Sequence, residues 1–589
     1  MHSFGEEEKA KKMQRATAED DPNVILPPDI MEKILSRLPA RSFAAAASTC
    51  RSWNCLCDRI LSQPKLLSAL SSDPRLSVAV EEACESVLSE PIRPHFAISF
   101  IGSKFSLKET LRLIKGKLGS SIPIITCYSP GIIGRNAKTK EFDEVQWVSD
   151  SEEYGHSTRV PGDHGIVLTV GFVPGLKVAA MPVRHVNEEG DPWSLVDLYF
   201  TNVKRYVESV SGSLYPTGMI IFADAGSDMT YFLESMGFGT VLVQGFLIYA
   251  FVANTQMVHA TKLGSFSYNG RCGRGGDRNK EGCFLFNGGE YLNFESECRK
   301  VHSSQSSTTK SQGSHKRSRA NKSFIYDVVA LVFAKDKENL HGMGDIQFSL
   351  ALSAGLSSVG PIYKAASVKC IEDKISGCST WMTARRDGFP NLDGQALLDD
   401  LESQVGNEKA CNAFYIRVFK RRKPAFSFKK RKLLEFISLH EVTGADDEYL
   451  FVDGGGIRTG DLFQFCAPDV DSALASRRTV LEKFRCFKDG GLKDHSNRQD
   501  EHERKRVEVF GGLIFACIGR GELFFGRPSI DSSTFLEVFP HAPLSGVFCG
   551  GEIGPCTEEC GEENLSSYCL NRYSTVFLVM TYSPKLPAL

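Results

Sequence analysis

Early in the chain, between residues 24 and 70, apolar residues recur at helical spacing in three short bursts that are too small to close a core of their own. Asp29 is placed to cap a helix with Glu32 three residues on, and Ile30, Met31, Ile34, Leu35 and Leu38 then repeat until Pro39 stops the run. A second, Ala-rich segment begins near Ser42, with Phe43 as its one large apolar side chain. A third carries Trp53, Leu56, Cys57, Ile60 and Leu61 on one face and ends before Pro64. Three such helices leave surplus apolar surface, which either packs on the rest of the chain or takes a partner.

The residues say more than their periodicity. Leu26-Pro27, Ile34-Leu35, Leu38-Pro39, Cys50-Arg51 and Trp53 stand in the order and spacing of an F-box, and the segment resembles that family. It departs from the family pattern at Thr49, where Val is common, and at Ala44 to Ala47, where larger aliphatics are frequent. The resemblance implies docking to a Skp-type adaptor, and through it to cullin and RING subunits of a ubiquitin ligase. The residues it assigns to that contact are Leu26, Pro27, Ile30, Ile34, Leu35, Leu38, Pro39, Phe43 and Trp53. Each large side chain fully buried in such a groove contributes roughly 1.5–3 kcal/mol.

Beyond this segment the composition is that of a globular protein, 42% apolar and 24% charged over 589 residues with a formal net charge of −2. That balance argues against nucleic-acid binding through the whole surface. Eighteen scattered cysteines predict a reduced intracellular setting. The first twenty-odd residues hold no apolar run, so neither a leader nor an anchor is expected there. The most membrane-like stretch, residues 240–253, is interrupted by Gln244 and too short for a bilayer core of ~30 Å; buried strands account for it better, and no membrane partner is expected.

The expected architecture is α+β, mixed α/β: a small N-terminal three-helix unit followed by two mixed sheet domains. Residues 1–22 form a disordered tail, 23–70 the F-box and 71–94 a helical linker. From His95, HFAISFIGS reads as a strand, SLKETLRLIKGKLG as an amphipathic helix ended by Gly119, and IPIITCYSPGIIG as a buried strand leaving through a Pro-Gly turn, a βαβ-like opening. Strands are predicted over 165–173, 177–183, 219–223 and 240–253, and helices near 194–211 and 229–236. Residues 299–322, Ser-rich and basic, cannot offset their ordering entropy and read as a disordered insertion. The first sheet domain thus spans 95–344 and the second 345–589.

In the second of these, LDGQALLDDLESQV and DSALASRRTVLEKFRCF read as helices among the strands NAFYIRVF, EYLFVDGGGIRTGDLFQFC and STVFLVMTY. Segments IIFADAG, GGLIFACIGRG and above all PLSGVFCGGEIGP resemble the FIST domains, whose N-terminal and C-terminal halves follow F-boxes in some proteins and occur in bacterial sensory proteins. The combined resemblance covers nearly the whole chain and implies a substrate receptor of an SCF-type ubiquitin ligase. Leucines do not recur at a fixed 20–29-residue period, so no leucine-rich solenoid is expected.

Several motifs remain. Lys420-Arg421-Arg422-Lys423 and Lys429-Lys430-Arg431-Lys432 resemble a bipartite nuclear-import signal, with a solvated loop as the plainer account; aromatics between them are too few for a nucleic-acid stacking platform. The glycine turns at Gly454-Gly455-Gly456, Gly519-Arg520-Gly521 and Gly550-Gly551-Glu552 lack phosphate-loop and dinucleotide patterns and read as strand-end turns. If ligand sensing extends to this chain, Arg520 would hold a carboxylate, with Gly521, Gly551 and Glu552 beside it. Cys549, Cys556, Cys560 and Cys569 lack paired zinc-knuckle spacing, and the histidines accompany no metalloprotease or nucleophile-elbow pattern, so neither metal, cofactor nor catalytic residue is assigned. The reading is therefore a non-catalytic receptor of the nucleus or cytoplasm that binds a protein to be ubiquitinated. The alternative is a sensor whose FIST halves bind a small molecule.

Overall fold

The computed structural model describes residues 27–147, 163–183, 192–223, 252–254, 284–287, 328–338, 344–373, 377–386, 392–405, 413–422, 434–488, 507–555 and 568–584. The expected tail (1–22), the Ser-rich insertion (299–322) and the helix near 229–236 lie outside them, as does the expected strand 240–253 apart from residues 252 and 253. Two compact units are present, one helical and one built of sheets.

The helical unit runs to Gln63 and takes in Leu88–Arg93. Its helices are α1 (Pro28–Leu35), α2 (Ala40–Ala47) and α3 (Arg51–Ile60). Pro27 occupies the cap position of α1 and Pro28 its first turn, where a missing N–H costs nothing; Asp29 lies inside the helix and makes no side-chain cap, contrary to the sequence expectation. The later stretch also ties back, since the Ala40 N–H donates to the Leu88 carbonyl at 2.9 Å.

The sheet unit begins at Pro64, earlier than the boundary at residue 70 suggested by the sequence, and the expected linker is divided, with 71–87 in the sheet unit and Leu88–Arg93 in the helical one. Strand β1 (Lys65–Ser71) leads to α4 (Leu76–Val87), β2 (Phe96–Ile101), α5 (Leu107–Leu118) and β3 (Ile124–Tyr128), then to β4 (Gly131–Arg135), β5 (Phe142–Gln146) and β6 (Ile166–Phe172). Local chemistry sets α5 as expected: the Ser106 hydroxyl accepts from the Glu109 N–H at 3.4 Å, and Gly119 leaves the helix at φ +91°. Strands β2 and β3 pair in parallel, which confirms the βαβ opening.

A second passage follows: β7 (Leu176–Val183), α6 (Pro192–Ser211), β8 (Gly218–Ala223), β9 (Val252–Asn254), β10 (Phe284–Asn287) and β11 (Val328–Lys335). The third starts with β12 (Asp345–Ser353) and is interrupted by a closed six-stranded barrel. The barrel comprises β13 (Leu356–Asp373), β14 (Gly377–Arg385), β15 (Tyr415–Arg422), β16 (Leu434–Ala445), β17 (Leu450–Asp453) and β18 (Leu462–Pro468), with α7 (Gly394–Val405) packed on it. The passage resumes with α8 (Val470–Lys488), β19 (Glu508–Cys517), α9 (Glu522–Phe525), α10 (Ile530–Leu536), β20 (Leu544–Cys549), β21 (Glu552–Pro555), β22 (Tyr568–Asn571) and β23 (Thr575–Ser583).

The three passages repeat one topology. Strand orders β1-β6-β2-β3, β7-β11-β8-β9 and β12-β23-β19-β20 share the same sequence of antiparallel, antiparallel and parallel pairings. Each passage also sends its next strand to another sheet. Strand β4 pairs with β20, β10 pairs with β3, and β21 lies against β9, where Ile553 joins the cluster of Met181, Tyr199 and Ile221. The exchange is cyclic. It leaves a trace in the sequence, where Phe100-Ile101-Gly102 matches Cys517-Ile518-Gly519 in place, and Gly131-Ile132-Ile133-Gly134 matches Gly551-Glu552-Ile553-Gly554.

The α+β class and mixed sheets agree with the sequence, but residue 344 divides nothing, because β4 and β5 of the first passage complete the sheet of the third. All three sheets face one core. Phe333 from β11 meets Phe96 from β2 at 5.3 Å between ring centroids and Phe348 from β12 at 4.9 Å. Phe333→Ala should therefore cost about 3–5 kcal/mol, read from the urea midpoint. Fluorescence of Trp147, buried in the same core, and the far-ultraviolet sheet signal should be lost together; separate transitions would contradict a shared core.

Candidate functional site

Helix α1 has two faces. Met31 and Leu35, four residues apart, turn inward with Phe43, Ala46, Leu56 and Cys57 to form a small core, and Leu38 and Trp53 pack partly buried against it. Ile30 and Ile34, also four apart, stay 45% and 44% exposed. Of the nine residues expected to contact an adaptor, Leu35 and Phe43 are thus corrected to core positions, at 1% and 3% exposure, because the three helices need them to hold together. Pro27 and Pro39 are exposed; Leu26 lies outside the described residues.

The glycine turns of the third passage are packed shut. Arg520 is buried, and all five of its donors are used: Nε and Nη2 grip the Asp531 carboxylate at 3.0 and 2.8 Å, Nη1 donates to the Ser353 and Tyr573 carbonyls at 3.2 and 3.0 Å, and Nη2 also donates to the Ser353 hydroxyl at 3.1 Å. It is a latch between β12, α10 and the turn that joins β22 to β23 and has no donor left for a ligand carboxylate, which corrects the role expected of it. Gly521, at φ +97°, sits against Gln146, whose amide donates to the Arg520 and Ile518 carbonyls at 2.8 and 3.2 Å. Gly551 packs against Leu570. Neither glycine lines an open site.

Glu552 is also fully buried. Its carboxylate accepts from the Ser574 hydroxyl at 2.6 Å and the Cys549 thiol at 3.4 Å, and burial pushes its pKa up to about 8. Burial and the Asp531 charge likewise raise Glu144, on the exchanged β5, to about 7, while its Oε1 accepts from the Ser532 N–H at 2.9 Å. Cys549 and Cys569 are buried free thiols; Cys556 and Cys560 lie outside the described residues. Among the described residues no cluster of three His, Cys, Asp or Glu could hold a metal.

The first basic run is not a free loop. Lys420 is 2% exposed near the end of β15, and Arg421 and Arg422 continue that strand; Lys423 and residues 429–432 lie outside the described residues. Burial, and then the Lys420 charge, lower His440 to about 3. The His440 Nδ1–H donates to the Asp453 carbonyl at 2.8 Å, which leaves Nε2 to accept from the Ser438 hydroxyl, also at 2.8 Å: a neutral, fixed imidazole.

An F-box-like domain matches residues 24–63, and a FIST C domain matches 436–555, from β16 through β21. An F-box/LRR-repeat protein of Arabidopsis thaliana is 34% identical over 591 residues, covering 99% of this chain and 98% of that protein. The chain belongs to the F-box protein family. Uncharacterized proteins of Mycobacterium tuberculosis and Mycobacterium bovis are 49% identical over 45 residues, 8% of this chain and 12% of each of theirs. The leucine-rich repeats are in the plant relative's name; the described strands of this F-box protein form mixed sheets and a barrel, not the single parallel sheet of a solenoid.

Sequence reasoning found Arg520 and Glu552 but missed Asp531, Ser353 and Tyr573, which come from three separate elements and have no shared motif. Arg520→Ala, which strands a buried carboxylate, should cost about 3–5 kcal/mol in chemical unfolding. Glu552 carries a second expectation. Its folded-state pKa of about 8 lies above the ordinary 4.5, so its contribution to stability is full below pH 4.5 and is lost as pH rises through 8. Urea midpoints of the native protein should fall relative to Glu552→Gln across that window; a constant difference would remove the assignment.

Proposed function

We propose that this F-box protein is the substrate-recognition subunit of an SCF ubiquitin ligase. The α1 face bearing Ile30 and Ile34 is laid into the groove of a Skp-type adaptor, and the sheet unit holds the protein to be ubiquitinated. Family membership supports the adaptor role, since F-box proteins are typically non-catalytic adaptors. The observation that carries the reading is the pairing of a self-sufficient helical core with two adjacent aliphatic side chains left in solvent.

Ubiquitin transfer then belongs to other subunits. The contribution of this chain is proximity, which raises the local concentration of substrate lysines near the conjugating enzyme. Residence in the nucleus or cytoplasm belongs to the same reading, with residues 429–432 rather than Lys420 as the basic determinant of nuclear import.

The test follows from exposure. Ile30→Glu with Ile34→Glu changes no buried side chain, so the fold should persist by circular dichroism. Capture of the adaptor and cullin from cells should weaken by about 1.5–3 kcal/mol from lost apolar burial alone, since each isoleucine is about half exposed, and further by the charge placed against the groove. Undiminished capture by the double variant would reject the proposed face.

A further inference from the structure

The barrel is an addition to the threefold plan. It interrupts the third passage alone, has a core of its own around Tyr363, Met382 and Phe463, and supplies no residue to the aromatic core that the three sheets share. Its six strands close on themselves, so the barrel offers no open edge for another chain to pair with. Whatever it recognises is read by side chains.

Two large aliphatic side chains stand in solvent on its outer face. Ile362 on β13 is 52% exposed and Leu462 on β18 is 45% exposed. Strand alternation turns Tyr363 and Phe463 into the barrel and these two outward. In the β13–β18 register Ile362 lies opposite Gln464 and Leu462 opposite Lys364, which makes the pair diagonal neighbours with backbones roughly 7–8 Å apart. Phe419 of β15, opposite Leu462 on its other side and partly exposed, extends the same apolar surface. Leu214 and Leu523 are also exposed, but each stands singly on a segment of its own, which is ordinary for a protein surface.

The face is held in shape. Immediately before Ile362 the register slips, leaving Gly360 and Pro361 bulged out of the ladder. Gly360 takes φ +68°, which glycine adopts freely, and Pro361 brings no N–H that would need a partner. The Gln464 side-chain amide donates to the Gly360 carbonyl at 3.0 Å and fixes the bend from the neighbouring strand. Ile362 is thus presented from a settled backbone, and a partner that covers it has little left to order.

Charge specifies the occupant. Lys364 and Arg385 lie opposite one another across β13 and β14, both exposed, and like charges placed directly opposite destabilise a strand pair. Neither forms an ion pair with a described residue, and no carboxylate stands beside them or beside Ile362 and Leu462 in the registers of β13, β14, β15 and β18. A partner bearing carboxylates relieves that repulsion while its apolar side chains cover the aliphatic pair; a basic partner adds to it.

We propose, resting on the substrate-receptor reading, that this face of the barrel docks the protein to be ubiquitinated, through an acidic segment whose two apolar side chains cover Ile362 and Leu462 and whose carboxylates meet Lys364 and Arg385.

The test titrates the intact chain into short fluorescein-labelled peptides and follows anisotropy. Two peptides carry a pair of leucines among glutamates, at the four-residue spacing of a helix face in one and the two-residue spacing of a strand in the other. Their controls replace the glutamates by lysines or the leucines by serines. Saturable binding is expected for at least one acidic leucine peptide, and binding at least about tenfold weaker for its lysine and serine counterparts. Ile362→Ser with Leu462→Ser, which changes no buried side chain, should weaken that peptide by at least about tenfold, and Leu214→Ser should leave it unchanged. Lys364→Glu with Arg385→Glu should reverse the preference, so that the lysine peptide binds more tightly than the glutamate one. No saturable binding by either acidic leucine peptide, or equal binding by all variants, overturns the proposal. So does a molecular mass that doubles with concentration in the native chain but not in the serine variant, which would put a second copy of the chain on this face. Adaptor capture should be the same for all of these variants, whereas Ile30→Glu with Ile34→Glu should weaken adaptor capture and keep the peptide, so failure here is distinguishable from failure of the ligase reading.

Discussion

Three sheets close over one aromatic core, and no sheet can bury its inner face without the other two. Phe96, Phe333 and Phe348 come from different passages and meet edge-on or tilted, so removing any passage would expose the rings of the others. Strand exchange reinforces this dependence. Because β4, β10 and the β21–β22 hairpin each settle on a neighbouring passage, the pairings that cover exposed sheet edges are made between passages rather than within them. The unit is cooperative for a geometric reason as well as an energetic one.

The same architecture explains where polar groups collect. At the carboxyl ends of β19 and β20, the exchanged β5 brings Gln146 to the turn containing Arg520 and Glu144 to the start of α10, and β12 and the β22–β23 turn supply the oxygen atoms that use up the remaining donors of Arg520. A buried arginine with five satisfied donors and one fully engaged carboxylate is a structural fastener. The functional reading therefore moves from the glycine turns to the exposed aliphatic pair on α1.

The helical unit serves its role by dividing one helix between two tasks. Spacing of four residues puts Met31 and Leu35 on the inner side and Ile30 and Ile34 on the outer, so a single turn of sequence provides both the core and the exposed aliphatic face proposed to meet an adaptor. Periodicity identifies all four as apolar and helical. It does not say which pair faces inward, and the F-box resemblance that assigned Leu35 and Phe43 to the contact does not separate core from surface positions; the packing of α2 and α3 does.

Sequence by itself determined whatever depends on near neighbours in the chain. The three short helices, the α5 boundaries at Ser106 and Gly119, the continuous apolar strands such as β6 and β11, the α+β class and the F-box and FIST resemblances all follow from local periodicity, caps and motifs. Tertiary structure alone decided the rest: the threefold topology, the joining of the halves through β4 and β20, the burial of Lys420, and the pairing of Arg520 with Asp531 rather than with a ligand. The repeat was hidden because a barrel of more than a hundred residues interrupts its third copy and only short segments such as Gly131-Ile132-Ile133-Gly134 keep their counterpart. Burial and pairing join residues hundreds of positions apart, and no local pattern records which strand will come to lie beside which.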